Sequence, residues 1–190
     1  MLTSYDGRPL SWGLTGGVSI ADFYGDDVGG TETKAGFTGG IFFNYRVSDY
    51  FSIQPEALYT MKGSEVNSGI YGQERTTEYE LGYIEIPVLL KLHIPNQNII
   101  TPNIYAGPNV AFNVNGDAND RDIDDDLKDV DFGLSFGGGV DFMIAKRRAD
   151  FIQKIFLDAR CTLGLVDVFD VAGDPEAKNG VFNITAGVGF

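Results

Sequence analysis

The sequence has only one cysteine (Cys161), one histidine (His93) and one tryptophan (Trp12) among its 190 residues. A single cysteine excludes an intrachain disulfide and a cysteine-built metal site, and it says nothing about redox compartment. No run approaches the roughly 20 apolar residues that a transmembrane helix needs, so a helical membrane protein is excluded. Positive charge is scarce: 14 Lys and Arg against 27 Asp and Glu give a formal charge of -13, which argues against nucleic acid as a partner. Residues 1–10 lack the basic, then apolar, then small-residue order of a secretory signal. An exported chain would therefore be expected to have lost its signal ahead of this start.

What is abundant is glycine (25 residues) and aromatic side chains (13%), at a mean hydropathy of -0.06. These are arranged in period-two alternation, which marks strands. Trp12, Leu14, Val18 and Ile20 alternate with Gly13, Thr15, Gly17 and Ser19. Phe51, Ile53, Pro55, Ala57 and Tyr59 interleave with Ser52, Gln54, Glu56, Leu58 and Thr60. The pattern returns around 37–47, 84–94, 104–112, 132–144, 155–165 and 182–190, so about eight strands are predicted. A membrane-crossing strand needs only about 9–11 residues and conceals its apolarity in this alternation.

Connections alternate in length. Short ones fall at 48–50, 95–101 and 145–150, and long polar ones at 22–34, 63–76, 115–130 and 166–179. Short turns on one rim and long loops on the other are the arrangement of an outer-membrane barrel, periplasmic and extracellular respectively. The predicted fold is all-β: an eight-stranded antiparallel up-and-down transmembrane β-barrel over residues 12–190, after an N-terminal tail at 1–11. There is no linker, low-complexity tract or second domain in the pattern.

Alternation alone leaves open a soluble, lipocalin-like ligand-binding barrel, with its bulky residues inside. Side-chain volume favours the inverted arrangement. The apolar faces are bulky, the opposite faces are rich in Gly, Ser, Thr and Asn, and an eight-strand barrel is barely wide enough inside for side chains. Phe42, Leu58, Leu89 and Phe156 break this rule. The apolar faces carry no Asp, Glu, Lys or Arg, and an Arg or Lys at the midplane would cost about 2–4 kcal/mol. Aromatic pairs such as Phe37 and Tyr45, Phe51 and Tyr59, Phe132 and Phe142, and Phe182 and Phe190 have the spacing of two interfacial girdles.

Residues 54–63 (QPEALYTMKG), 83–92 (YIEIPVLLKL), 103–110 (NIYAGPNV) and 160–166 (RCTLGLV) resemble the PorT-like outer-membrane β-barrel domains of Bacteroides-type Gram-negative bacteria. The ending 186–190 (AGVGF) is similar to their terminal strand, whose final aromatic residue is read by the barrel-assembly machinery. The resemblance covers residues 12–190 and implies export and insertion into the outer membrane, among its lipids. It also implies, more distantly, an accessory role in a protein-secretion complex with an envelope protein partner.

The polar faces carry Arg46, Glu56, Lys62, Glu85, Lys91, Asp141, Lys154, Asp158 and Arg160. Inside a narrow barrel these charges must pair, because isolated buried charge is costly. They are expected to form an ionic plug that fills the lumen, with a proton or ion path as the alternative. Glu56 and Glu85 are of the type that does acid–base work, yet no cleft is indicated. His93 has no serine partner nearby in sequence, as a nucleophile would require, so no catalytic residue, cofactor or metal site is expected. The aspartate-rich segment 115–131 (NGDANDRDIDDDLKDVD) reads as a solvated loop, with weak divalent-ion binding as the alternative, since it lacks the EF-hand frame. The resulting expectation is a non-enzymatic barrel with a structural or surface-interaction role.

Overall fold

In a computed structural model the chain closes into a barrel of eight antiparallel strands. The structure describes residues 9–24, 31–70, 73–94, 99–118, 121–122, 130–144, 151–165 and 178–190. The wall consists of β1 (Leu10–Tyr24), β2 (Thr31–Arg46), β3 (Phe51–Ile70), β4 (Gln73–His93), β5 (Ile100–Ala118), β7 (Val130–Met143), β8 (Lys154–Gly164) and β9 (Lys178–Gly189). A two-residue β6 (Arg121–Asp122) pairs only with the end of β5. Each wall strand pairs with its neighbours in sequence, and β9 pairs with β1 from Gly13↔Gly189 to Tyr24↔Lys178, which removes every edge within the barrel wall.

Period-two geometry sends alternate side chains to opposite faces, and the two faces have opposite chemistry. Trp12, Leu14, Val18, Phe37, Ile41, Ile84, Leu90, Ile104, Phe132 and Ile184 point outward and are exposed. Ser19, Ser52, Thr60, Glu85, Lys91, Asp158 and Asn183 point inward and are buried. A soluble lipocalin-like barrel would have the reverse arrangement, so that alternative falls. The outward aromatics sort to the two rims. Trp12, Tyr45 and Phe51 lie at the short-turn end, where Phe190 packs on Trp12 and Phe151 at centroid distances of 4.7 and 4.6 Å. Phe37 and Tyr59 meet towards the long-loop end at 5.6 Å.

The residues that broke the volume rule fill the lumen. Phe42, Leu58, Leu89 and Phe156 are buried, and Phe42 meets Phe156 edge-on at 5.4 Å. For three of the four, room comes from glycine directly across the ladder: Phe42 faces Gly13, Leu58 faces Gly40 and Phe156 faces Gly187. A Cβ on Gly13 would overlap the Phe42 ring, and one on Gly187 the Phe156 ring. Small and large alternate across facing positions, as close packing of a narrow interior requires.

Several boundaries differ from the sequence reading, among them the 22–34 connection, of which 22–24 belong to β1 and 31–34 to β2. β1 starts at Leu10, and the Pro9 carbonyl accepts from the Arg46 amide at 2.6 Å, so residues 9–11 belong to the barrel rather than to a tail. The segment 63–76 is largely not a loop: β3 and β4 continue as a hairpin whose ladder runs from Gly63↔Glu80 to Ile70↔Gln73. These residues lack the apolar alternation that identifies a strand, although the ladder persists. Likewise β5 extends through Ala118 into the aspartate-rich segment. The rest of that segment, apart from β6 and residues 130–131, lies outside the described residues, and the divalent-ion alternative lies there with it.

Candidate functional site

The strands bring most of the charged candidates into the lumen. Arg160 on β8 donates from Nη1 and Nη2 to both carboxylate oxygens of Glu56 on β3, at 2.8 and 2.9 Å. In the closed order of eight strands, β3 and β8 stand four steps apart in either direction. The pair therefore spans the barrel along a diameter. Lys91 on β4 reaches Asp158 Oδ2 on β8 at 3.7 Å, and Lys154 donates to Asp141 Oδ2 on the adjacent β7 at 3.1 Å. All six side chains are buried, and three cations meet three anions. The fork geometry of the Arg160 contact makes it the strongest of the three.

Aromatic rings and neutral polar groups complete the cluster. Lys91 and Arg160 both lie over the Tyr105 ring, at 5.0 and 5.4 Å from its centroid. Lys154 sits 5.5 Å from the centroids of both Phe42 and Phe156. A hydrogen-bond chain runs along β3 from the short-turn rim. His93 Nε2 meets Ser52 Oγ at 2.8 Å, and Asn44 Nδ2 donates to Ser52 Oγ at 2.9 Å and to Gln54 Oε1 at 3.0 Å. Gln54 Nε2 then donates to Glu56 Oε1 at 2.7 Å, which joins the rim to the Arg160 pair. Towards the other rim, Thr38 bonds Thr60 at 2.9 Å and Ser135 bonds Thr162 at 2.8 Å across their ladders.

The remaining candidates lie elsewhere. Arg46 is at the short-turn rim, where Nε and Nη2 donate to the carbonyls of Ser48 and Asp49 and hold the β2–β3 turn. Lys62 is on β3 in register with Leu81, and its side chain is outside the described residues. Glu85 is buried on β4 in register with Leu58, while Glu56 accepts from Arg160. Among the described residues no group of three or more His, Cys, Asp or Glu could hold a metal ion.

The structure corrects one premise about His93: distant in sequence, Ser52 is its hydrogen-bond partner. Cross-strand register, Ser52↔Lys91 on β3–β4, sets this contact and linear spacing could not reveal it. Ser52 is 0% exposed and also accepts from Asn44. Ser52 Oγ thereby joins β2, β3 and β4 through Asn44 and His93. Beside the charged residues the lumen holds Asn44, Gln54 and Tyr105, already on the polar face by alternation, and Asn103, which the charged candidates did not include. Strand parity alone would have placed Asn103 there too.

An apolar belt facing outward, an ion-paired interior and short and long connections on opposite rims define a transmembrane β-barrel of the outer-membrane type. The chain belongs to the family described as outer membrane protein beta-barrel domain, whose model matches residues 3–170. It is accordingly an outer-membrane protein. Among solved structures it is similar to Neisserial surface protein A (NspA), with 15% identity and a TM-score of 0.59 over 96% of this chain and 100% of that one. It is also similar to OprG from Pseudomonas aeruginosa, with 13% identity and a TM-score of 0.53 over 95% of each chain. At these identities the likeness concerns the fold. No curated protein matches the chain.

Proposed function

We propose that this protein is a non-enzymatic outer-membrane barrel whose lumen is a structural plug and whose long-loop rim is the working surface, in a structural or surface-interaction role. The observation that carries the reading is the diametric Glu56–Arg160 contact. It lies beside the Phe42–Phe156 pair and leaves the mid-lumen occupied by side chains of the wall itself. The protruding β3–β4 hairpin supports the surface half of the proposal, because it extends a polar ladder beyond the lipid-facing belt. Outer-membrane lipids cover the belt, and Phe190 offers a terminal aromatic to the barrel-assembly machinery. Removal of a signal on export is part of the same proposal.

Residues 54–63, 83–92, 103–110 and 160–166 support placement with the PorT-like domains and, through them, an accessory role in protein secretion with an envelope partner. Two measurements test these readings. Purified protein in planar bilayers should give no steady conductance, and a stable open channel would overturn the plug. Replacing 64–79 by a short turn should leave the barrel folded while abolishing recovery of envelope proteins by crosslinking in native membranes. Unchanged recovery would remove the surface role.

A further inference from the structure

Proline has no amide hydrogen to give to a ladder, and sheets confine it to edges and irregularities. Three prolines nevertheless stand inside this wall, and each falls at a gap in the pairing. The β2–β3 ladder passes from Phe42↔Glu56 to Tyr45↔Ile53 and skips the step where Pro55 stands opposite Phe43. The β3–β4 ladder passes from Pro55↔Val88 to Leu58↔Glu85 and skips Pro87 opposite Glu56. The β4–β5 ladder passes from Pro87↔Asn109 to Leu90↔Ala106 and skips Pro108 opposite Val88. Register is the same on both sides of each gap, so pairings are lost without a bulge. Among the described residues, the β1–β2, β5–β7, β7–β8, β8–β9 and β9–β1 ladders run without such a gap.

The gaps share one level. Pro55 lies opposite Val88, and the β4–β5 register sets Val88 opposite Pro108, so a single row crosses β3, β4 and β5 within the outward apolar belt. In a bilayer the backbone must satisfy itself, and a stretch of wall with missing ladder bonds is its weakest part.

Side chains cross the gaps instead. Asn44 on β2 stands opposite Gln54 in the first gap and donates to Gln54 Oε1 at 3.0 Å and to Ser52 Oγ at 2.9 Å. Glu56, in the second gap, accepts both hydrogen bonds of Arg160 on β8, at 2.8 and 2.9 Å. Lys91, further along β4, reaches Asp158, also on β8, at 3.7 Å. Both ion pairs therefore run from interrupted strands to β8, whose two ladders are unbroken. A plug is free to tie any two strands. These pairs tie the weak side of the wall to the continuous side, and one of them lands in a gap.

We propose that β3 to β5 form a compliant panel of the wall, with the Glu56–Arg160 and Lys91–Asp158 pairs as its latch. Engaged, the latch holds the panel against β8. Released, it lets the ladders part at the proline row and opens the lumen to lipid at that depth, while β7, β8, β9 and β1 stay paired. The proposal rests on the plug reading given above and adds a moving part to it.

Residue-resolved amide hydrogen exchange of the full chain in detergent micelles is the test. In the unaltered protein the amides of Phe43, Glu56 and Val88, opposite the prolines, should exchange at least about tenfold faster than those of Phe136, Ala159 and Ile184. Glu56→Leu with Arg160→Met releases the latch without stranding a charge. It should speed the first three amides about tenfold further and leave the other three unchanged. Adding Pro55→Val and Pro108→Val restores two ladder donors and should reverse the rise at Phe43 and Val88. Uniform protection in the unaltered protein, a rise spread over all strands, or a rise that survives the restored donors would overturn the proposal. Arg160→Lys, which keeps the charge and loses the fork, covers a double variant without a heat-dependent gel shift. It should speed the same three amides selectively, and an unselective change would again overturn the latch. Steady conductance of the unaltered protein would count against the plug instead.

Discussion

Arg160 holds both oxygens of Glu56 across the diameter of the barrel, from β8 to β3, although 104 residues separate them in sequence. Removing either partner strands a buried charge. Glu56→Ala and Arg160→Ala are therefore each expected to destabilise by about 3–5 kcal/mol, the range for breaking a buried pair. Glu56→Leu with Arg160→Met should recover most of that loss, since apolar groups of similar volume remove the desolvation cost together with the attraction. Urea titration of the heat-dependent gel shift, run as a double-mutant cycle, measures the coupling directly. Single and double losses that simply add would mean that the pair contributes nothing as a pair.

The lumen glycines differ in what confronts them, and so should their substitutions. A Cβ on Gly187 would meet the Leu14 carbonyl and the Phe156 ring, neither of which can withdraw. At Gly189 the atoms it would meet first are those of the Lys154 stem, at 2.8 to 3.4 Å, and a flexible stem can shift. Gly187→Ala is expected to cost about 1–3 kcal/mol, the usual range for overpacking, and Gly189→Ala distinctly less. Folding yield into detergent and the urea midpoint both distinguish the two. Equal loss at both positions would argue that β9 tolerates no side chain on this face for some other reason.

Most of the wall was legible because lipid and lumen impose opposite demands on alternate residues. Val18 had to face lipid and Ser19 the lumen, and single-strand parity is enough to say so. The partners of those residues were not legible. Which glycine faces Phe42, which carboxylate meets Arg160 and which serine meets His93 depend on register and closure, and these relate strands that are far apart in sequence. The β3–β4 hairpin was hidden for a different reason: residues 64–70 and 73–79 carry no apolar alternation in sequence although they pair as strands. Arg46 had the right parity for the plug, but its place at the end of β2 puts it at the turn, where carbonyls of Ser48 and Asp49 take its hydrogens.

The outward face permits a depth test. Ala159 lies near the middle of β8 and faces outward, and Leu165 lies just beyond the strand's long-loop end. Ala159→Arg is expected to cost about 2–4 kcal/mol in lipid bilayers, against about 0–1 kcal/mol for Leu165→Arg, because the penalty for a lipid-facing cation falls from midplane to interface. Refolding equilibria in thin-bilayer vesicles give both values. Equal and small costs would place the outward face in water rather than in lipid.

Ser52 and His93 lie 2.8 Å apart, the distance of a nucleophile from its base, and we propose that the contact is structural. The hydroxyl is sealed at 0% exposure and already accepts from Asn44, whose second hydrogen bond holds Gln54 against Glu56. The pair is thereby one end of a chain that ends on Arg160. Ser52→Ala should orphan His93 Nε2 and weaken the hold on Asn44, at a cost of about 1–3 kcal/mol, the range for a buried group left without its partner. It should change no hydrolysis of phospholipid or lipopolysaccharide acyl chains above background, and a fluorophosphonate probe should not label the folded protein. Labelling of Ser52 in folded, membrane-inserted protein, lost in His93→Gln, would instead make this rim a catalytic site and overturn the non-enzymatic proposal.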